Sequence, residues 1–408
     1  MALFHHKNGI NAIFVYNLFM FWKKRRTYLD YAAGVAGNAS SPHEEGRRAK
    51  KMLEDARTDI ARLLEVQADD VIFTSGATEA NALAILGHVR ALRALAGHDT
   101  PGRNNMHVLY LPSAHASVVE NIKLLAEEGI EIEELPINNC RVDTEALKKM
   151  LRKETVLVSM DAVCGETGVI WNTREVAQVL KDFVSHSSDE GLTKSKHGRA
   201  LLHVDASQAP MTEKITRAHF GADMLTLDAS KVSSARGIGA LIAHRTIPII
   251  PLYRGGGQER GLRSGSESPE LAREFAKCLK RAMLNREAFL KRARSARVEL
   301  VKTLAIIKDL FLNESSHQSP NILNISLIGR DTDYIVALLD EAGFAVSTRS
   351  ACETDSEAGS RAVFALTHDG DRAKATLRIS WGPSVKPREL DRFAKSLIEA
   401  VKFIDNGA

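Results

Sequence analysis

The sequence predicts an α/β fold, a mostly parallel sheet covered by helices on both faces and followed by a smaller α+β region, and three observations carry that reading. Short apolar runs alternate with helical patterns over the first two thirds of the chain, as parallel strands joined by helical crossovers must. Two of those runs, Leu201–Asp205 and Met224–Leu227, are apolar enough to be buried strands, and each leads into polar residues at its carboxyl end. The last hundred residues segregate strands from helices instead of alternating them, which is the texture of an α+β domain.

The chain has 408 residues, 44% hydrophobic and 26% charged, which suits a soluble globular protein of two or three domains. Lys and Arg total 55 against 51 acids, so a net charge of +4 gives no basis for direct nucleic-acid binding. Cys140, Cys164, Cys278 and Cys352 form neither Cys-x-x-Cys pairs nor a disulfide framework. A reducing compartment, the cytoplasm, and no zinc or other metal site are expected.

Ile10 to Trp22 is nearly all apolar and runs into Lys23-Lys24-Arg25-Arg26. It is shorter than the roughly 20 residues of a spanning helix. It lacks a signal-peptide cleavage site and fits a membrane-surface anchor only loosely. Residues 1–26 are expected to be a disordered or artefactual leader, and membrane association is not expected. Thr27 to Asn38 reads as a short strand entering a loop of small residues, where a ligand or another backbone can approach. From Glu44, the spacing of Ala49, Met52, Leu53, Ala56, Ile60, Leu63 and Leu64 predicts an amphipathic helix. A strand at Val71–Thr74 precedes a helix opening at Ser75-Gly-Ala-Thr78.

Alternation continues through strands His107–Leu111, Glu131–Leu135 and Thr155–Met160 and helices Val118–Glu128, Thr144–Leu151 and Thr173–Phe183. Ser185–Arg199 reads as a polar surface loop without a motif. Gly237–Ala243 is a further apolar strand, a candidate antiparallel member of the sheet. A helical pattern from about Pro269 to Ile307 is long enough to bridge two domains. Beyond it, Ile322–Ser326, Ala345–Ser347 and Thr376–Ser380 read as strands, Tyr334–Ala342 and Arg388–Ile404 as helices. The expected division is a large domain at 36–268 and a small domain built from 27–35 and 269–408.

The chemistry gathers at strand ends. Asp205 and Lys231 each follow an apolar strand, at the carboxyl edge where open α/β sheets bind ligands. Either alone is accounted for as a helix cap or a solvated charge. Together they suit pyridoxal phosphate, which needs a lysine to hold its aldehyde and an acid to keep its pyridine nitrogen protonated. Ser75-Gly-Ala-Thr78 offers backbone N–H groups and hydroxyls at a helix start for a phosphate, though Ser or Thr ahead of Glu79 is also an ordinary capping pattern. His115 suits stacking over a cofactor ring or proton transfer, and equally a backbone-bonded loop histidine. Cys352 lies in a polar stretch of small residues, the setting of an accessible nucleophile. Arg378 sits on a strand, where its guanidinium can clamp a carboxylate or complete a structural ion pair.

Together with Tyr28-Leu-Asp-Tyr-Ala-Ala33, Phe73-Thr-Ser-Gly-Ala-Thr-Glu79, His203-Val-Asp-Ala-Ser-Gln208, Gly255-Gly-Gly-Gln-Glu-Arg-Gly-Leu-Arg-Ser-Gly-Ser266 and Ser350-Ala-Cys352, these residues resemble the cysteine desulfurases of the NifS/IscS type. Those belong to the class V aminotransferase group of PLP-dependent transferases of fold type I. The resemblance runs from Tyr28 to the last helix. It implies that Lys231 carries the cofactor, Asp205 pairs with the pyridine nitrogen, Gln208 bonds the phenolic oxygen, His115 stacks on the ring, and Ala77 and Thr78 hold phosphate. Ser266 would reach the phosphate of the partner subunit in a homodimer. Asn38 and Arg378 would hold the carboxylate of L-cysteine, and Cys352 would take its sulfur as a persulfide. A sulfur acceptor, such as an iron–sulfur scaffold or a tRNA thiolation enzyme, would follow.

Three positions depart from the family pattern. Gly165 stands where the family has an Asn that contacts the cofactor, and Ser230 where it has a His beside the lysine. Asp228 replaces a phosphate-binding Ser. Two like charges at 4 Å and an effective dielectric near 20 repel by about 4 kcal/mol, so Asp228 is expected to weaken phosphate binding unless it turns away or is protonated. The expected function is a PLP-dependent cysteine desulfurase. The alternatives are a PLP lyase acting on a related substrate such as selenocysteine, or a catalytically impaired paralogue acting as a binding partner.

Overall fold

The computed structural model describes residues 26–35, 37–96, 105–187, 199–348 and 359–407. The expected leader falls outside this set save Arg26, as do Cys352 and most of the polar loop at 185–199. The chain divides into two compact units, Met1–Lys50 and Lys51–Ala408.

In the first unit, Thr27–Asp30 is irregular and Tyr31–Ala33 forms a 3-10 turn. The strand expected there is absent among the described residues. Side chains close the segment on itself instead: Asp30 accepts from Ser41 Oγ at 2.8 Å and pairs with His43 Nε2 at 2.9 Å, and the Tyr28 hydroxyl donates to the Gly34 carbonyl at 2.6 Å.

The second unit holds strands β1 (Val71–Thr74), β2 (His107–Tyr110), β3 (Glu131–Glu134), the small hairpin β4 (Ile137–Asn138) and β5 (Arg141–Val142), β6 (Thr155–Asp161), β7 (Leu201–Asp205), β8 (Met224–Asp228) and β9 (Gly239–Ala243). After the long helix Pro269–Leu304 come β10 (Leu310–Leu312), β11 (Ile322–Leu327) and β12 (Thr376–Ser380). A seven-stranded sheet runs β1-β9-β8-β7-β6-β2-β3. It is parallel except at β9, which pairs antiparallel with both β1 and β8, the place the sequence suggested for such a strand. Burial on both faces explains why β7 and β9 are wholly buried, since no face is left for alternating polar residues.

His203 shows the cost of a polar group inside such a sheet. It is fully buried and bonded to Ser159 Oγ at 2.8 Å and Thr226 Oγ1 at 3.1 Å, tying β7 to both neighbours. Burial pushes its imidazole well below the ordinary range. It is structural.

The helical run after β1 passes from Ala77–Ala82 through a π-turn at Leu83–Gly87 into His88–Leu95, and it packs with Ala116–Glu127 on the sheet. A second core lies around the antiparallel sheet β10-β11-β12, with Leu323, Leu377, Leu397 and Trp381 buried. The helix Pro269–Leu304 supplies Phe275 and Leu279 to the first core and Leu300 and Leu304 to the second. Of the expected strand Ala345–Ser347, only Ser347 pairs, with Arg378, because a single bridge is all that reaches β12. The helices Arg361–Thr367 and Gly370–Lys374 and the strand β10 were not read from the sequence, being too short for a period to show.

Candidate active site

Strands β6, β7 and β8 lie side by side and end in Asp161, Asp205 and Asp228, a row of acids at the carboxyl edge of the sheet. Asp205 is 6% exposed, and each of its oxygens accepts one N–H: Oδ2 from Asn81 Nδ2 at 2.7 Å, Oδ1 from the Ser207 backbone at 2.9 Å. Asn81, fully buried on the helix that starts at Ala77, uses its second amide proton on Ser117 Oγ at 2.9 Å. Ser117 in turn bonds His115 Nδ1 through its hydroxyl at 2.8 Å and its backbone N–H at 3.1 Å. Nδ1 therefore accepts, and a neutral His115 ring carries its proton on the exposed Nε2 side. The backbone-bonded reading of His115 holds: it is the N-cap of Ala116–Glu127, and Ser117 and Asn81 connect it to Asp205. Asn81 and Ser117 were not singled out in the sequence, because a buried Asn and a helix-start Ser carry no signal until the helices are placed.

Lys231 is exposed in the 3-10 turn Ala229–Lys231 that follows β8. Gln208 is half-buried beyond β7, and Gly165 lies against it: a Cβ on Gly165 would meet Gln208 Nε2 at 3.0 Å. Glycine at 165 thus leaves room for the Gln208 side chain. Arg378 reaches the same place, its Nη1 donating to the Gly165 carbonyl at 3.2 Å. Ser266 and Thr78 are exposed. Asn38 lies in the unit Met1–Lys50, where its amide donates to the Ala33 carbonyl at 3.3 Å and its Oδ1 accepts from the Ser40 N–H at 2.8 Å.

The loop before Ala77 is fastened by Glu79. Its carboxylate accepts from the Ser75 N–H at 2.5 Å, the Tyr253 hydroxyl at 2.5 Å and Arg263 Nε at 3.2 Å. Burial pushes Glu79 up, but those donors outweigh it and hold the carboxyl below its usual range. Asp228 does not turn away from this loop. Its Oδ2 accepts from the Ala77 N–H at 3.0 Å and its Oδ1 from the Ser230 N–H at 2.8 Å.

Asp161, unremarked in the sequence, is 4% exposed beside Asp205, its register partner across the parallel pair. Burial, reinforced by the Asp205 charge, pushes its carboxyl up to about 8. Cys164 is 2% exposed, and burial followed by the Asp161 charge pushes its thiol up to about 12. Burial also raises Cys140 and Cys278. None of these three is poised as a thiolate.

The model of the family described as aminotransferase class-V matches residues 25–393. The chain belongs to the class-V aminotransferases. Among curated members it is 31% identical over 371 residues to cysteine desulfurase IscS 1 of Archaeoglobus fulgidus, covering 90% of this chain and 91% of that one. It is 30% identical to the mitochondrial cysteine desulfurase of Candida albicans, over 92% of this chain and 73% of the relative. Among solved structures a NifS-like protein superposes with a TM-score of 0.78 at 26% identity, over 90% and 92% of the two chains.

This class-V aminotransferase uses pyridoxal 5'-phosphate. The residues present fit the ring of that cofactor. A buried acid is held by two N–H donors at one strand end, a lysine stands at the next, and buried Asn81 Oδ1 and Ser207 Oγ beside Asp205 have no protein partner among the described residues. At the helix start that follows β1, the Ala77 N–H is taken by the Asp228 carboxylate.

Proposed function

We propose that this protein is a cysteine desulfurase that takes sulfur from L-cysteine, releases L-alanine and leaves a persulfide on Cys352. The observation that carries the reading is the meeting of Gln208 and the Arg378 guanidinium at Gly165, with buried Asp205 held by Asn81 at the end of β7. The names of the relatives that match over nine tenths of the chain support it.

Bound at Lys231, the cofactor supplies an electron sink for bond breaking at the substrate's α and β carbons. Asp205 keeps the pyridine nitrogen protonated, and Asn81 fixes the plane of that carboxylate. Arg378 orients the substrate carboxylate through a bidentate pair, and the matching role of Asn38 rests on its motif. Ala77 and Thr78 hold phosphate, with Ser266 supplied by the partner subunit of a homodimer. His115 covers the ring and exchanges a proton at Nε2, since Nδ1 is occupied. The raised thiols of Cys140, Cys164 and Cys278 support Cys352 as the sulfur carrier, because only a thiolate attacks efficiently. Delivery to an iron–sulfur scaffold or a tRNA thiolation enzyme in the cytoplasm completes the reading.

The deciding experiment is release of alanine and sulfide from L-cysteine by purified, cofactor-loaded protein, with selenocysteine in parallel. Equimolar alanine and reducible sulfur are expected; turnover of selenocysteine alone would move the assignment to a selenocysteine lyase. The contact of Asp228 with Ala77 favours a second reading, a paralogue whose cofactor site is impaired. Colourless protein that gains no visible band with added pyridoxal phosphate would establish it.

A further inference from the structure

We propose that Asp228 is a built-in competitor for the cofactor's phosphate: its carboxylate occupies the helix-start N–H that the phosphate must take. The proposal rests on the cofactor assignment and concerns how tightly that cofactor is held.

Ala77 and Asp228 are 151 positions apart and meet only because β9 lies between β1 and β8. Gly239 of β9 pairs with Thr74 on one side and Asp228 on the other. A Cβ on Gly239 would stand 2.8 Å from Gly76 Cα, so glycine there lets the loop lie flat on β9 and brings the Ala77 N–H over Asp228. Gly76 has φ +155, and its own Cβ position is 3.4 Å from Asp228 Oδ2. The helical run that begins at Ala77 continues to Leu95, so the N–H that Asp228 caps is the first of a long series. The carboxylate thus does at this helix start what a phosphate oxygen does, accepting the N–H and complementing the positive helix end.

One N–H cannot serve the carboxylate and a phosphate dianion together, and the two charges repel at that distance. Binding of pyridoxal phosphate therefore displaces Oδ2 from Ala77, while Oδ1 can keep the Ser230 N–H within its own turn. Two consequences follow. The empty protein is held closed at its phosphate loop by an internal anion. The cofactor binds with the cost of expelling it, a cost that pyridoxal, which lacks the phosphate, escapes.

The test compares wild type, Asp228→Ser and Asp228→Asn after cofactor removal. The dissociation constants of pyridoxal phosphate and of pyridoxal are read from visible absorption, and the melting temperature of each cofactor-free protein is recorded. Asn keeps the shape and an acceptor for the Ala77 N–H without the charge, so it guards against a Ser variant that folds poorly. Expected are a tightening of pyridoxal phosphate binding by at least about tenfold in both variants, pyridoxal affinity unchanged within about twofold, and a lower melting temperature of the cofactor-free Ser variant. Unchanged or weaker pyridoxal phosphate binding in both variants overturns the proposal. An equal gain for pyridoxal also overturns it, because the effect then lies at the ring. Failure of all three proteins to bind pyridoxal phosphate overturns the cofactor assignment itself, and the proposal with it.

Discussion

Three aspartates end three neighbouring strands, and their surroundings separate them. Asp205 is satisfied by two N–H donors, Asp228 by two others, and Asp161 keeps an oxygen with no partner among the described residues. Asp161 is raised above its unfolded value of 3.8 to about 8, by burial first and the Asp205 charge second, with Arg361 opposing. Within that window the unfolded chain loses the proton that the native protein keeps, so the group lowers stability progressively as pH rises through it. Asp161→Asn should therefore gain thermal stability over wild type, with a larger difference at pH 8 than at pH 5; equal differences would show that Asp161 is ionised in the fold. The cysteines give a second residue-level prediction. Cys164→Ala should retain turnover within about twofold, whereas Cys352→Ser should bind cofactor yet lose turnover by at least about a hundredfold. Peptide mass spectrometry after L-cysteine treatment checks this, and extra sulfur on the Cys164 peptide would redraw the nucleophile.

The turn after β8 and the segment from Tyr253 to Arg263 are the elements that shape the site. Glu259 anchors that segment, 7% exposed and accepting from Arg57 Nη1 at 2.8 Å, Arg57 Nη2 at 2.7 Å and the Phe73 N–H at 2.9 Å. Glu259 and Arg260 both take left-handed backbone, φ 47° and 62°, which the buried pair must hold in place. Glu259→Gln would leave Arg57 buried against a neutral partner, and breaking such a pair costs about 3–5 kcal/mol. A urea midpoint lowered to match is expected, together with weaker cofactor binding, because Arg263 and Tyr253 hold Glu79 and so the phosphate loop. A midpoint within error of wild type would mean the pair contributes nothing net.

At the scale of the whole molecule, the proposed homodimer makes each site depend on two chains, Lys231 from one and Ser266 from its partner. Lys231→Ala should abolish the covalent cofactor that borohydride fixes in wild type, and Ser266→Asp should weaken phosphate holding by placing a carboxylate against it. Refolding the two variants together forms a mixed dimer in which one site keeps both native residues. Activity should return in that mixture although each variant alone is inactive. A mixture no more active than its components would place Ser266 outside the partner's site or the protein outside a dimer.

Local patterns in the sequence determined much of this. Strands buried on both faces read as unbroken apolar runs, the antiparallel β9 and the helix Pro269–Leu304 were legible in the same way, and Asp205, Lys231 and Ser75–Thr78 stood at strand ends. The Thr27–Asp30 strand was misread because side-chain bonds from Tyr28, Ser41 and His43 outcompete a ladder, which no periodicity reveals. Only the tertiary structure decided what meets what. Asn81 reaches Asp205 across 124 positions, Arg378 reaches Gly165 across 213, and Asp228 reaches Ala77 across 151. Asp161 reads along the chain as an ordinary strand-terminal acid, and its carboxyl is raised because the packed sheet buries it and, second, because β7 sets Asp205 beside it. Sequence spacing specifies an element's period and its ends; strand order, set by packing two buried faces, specifies which ends become neighbours.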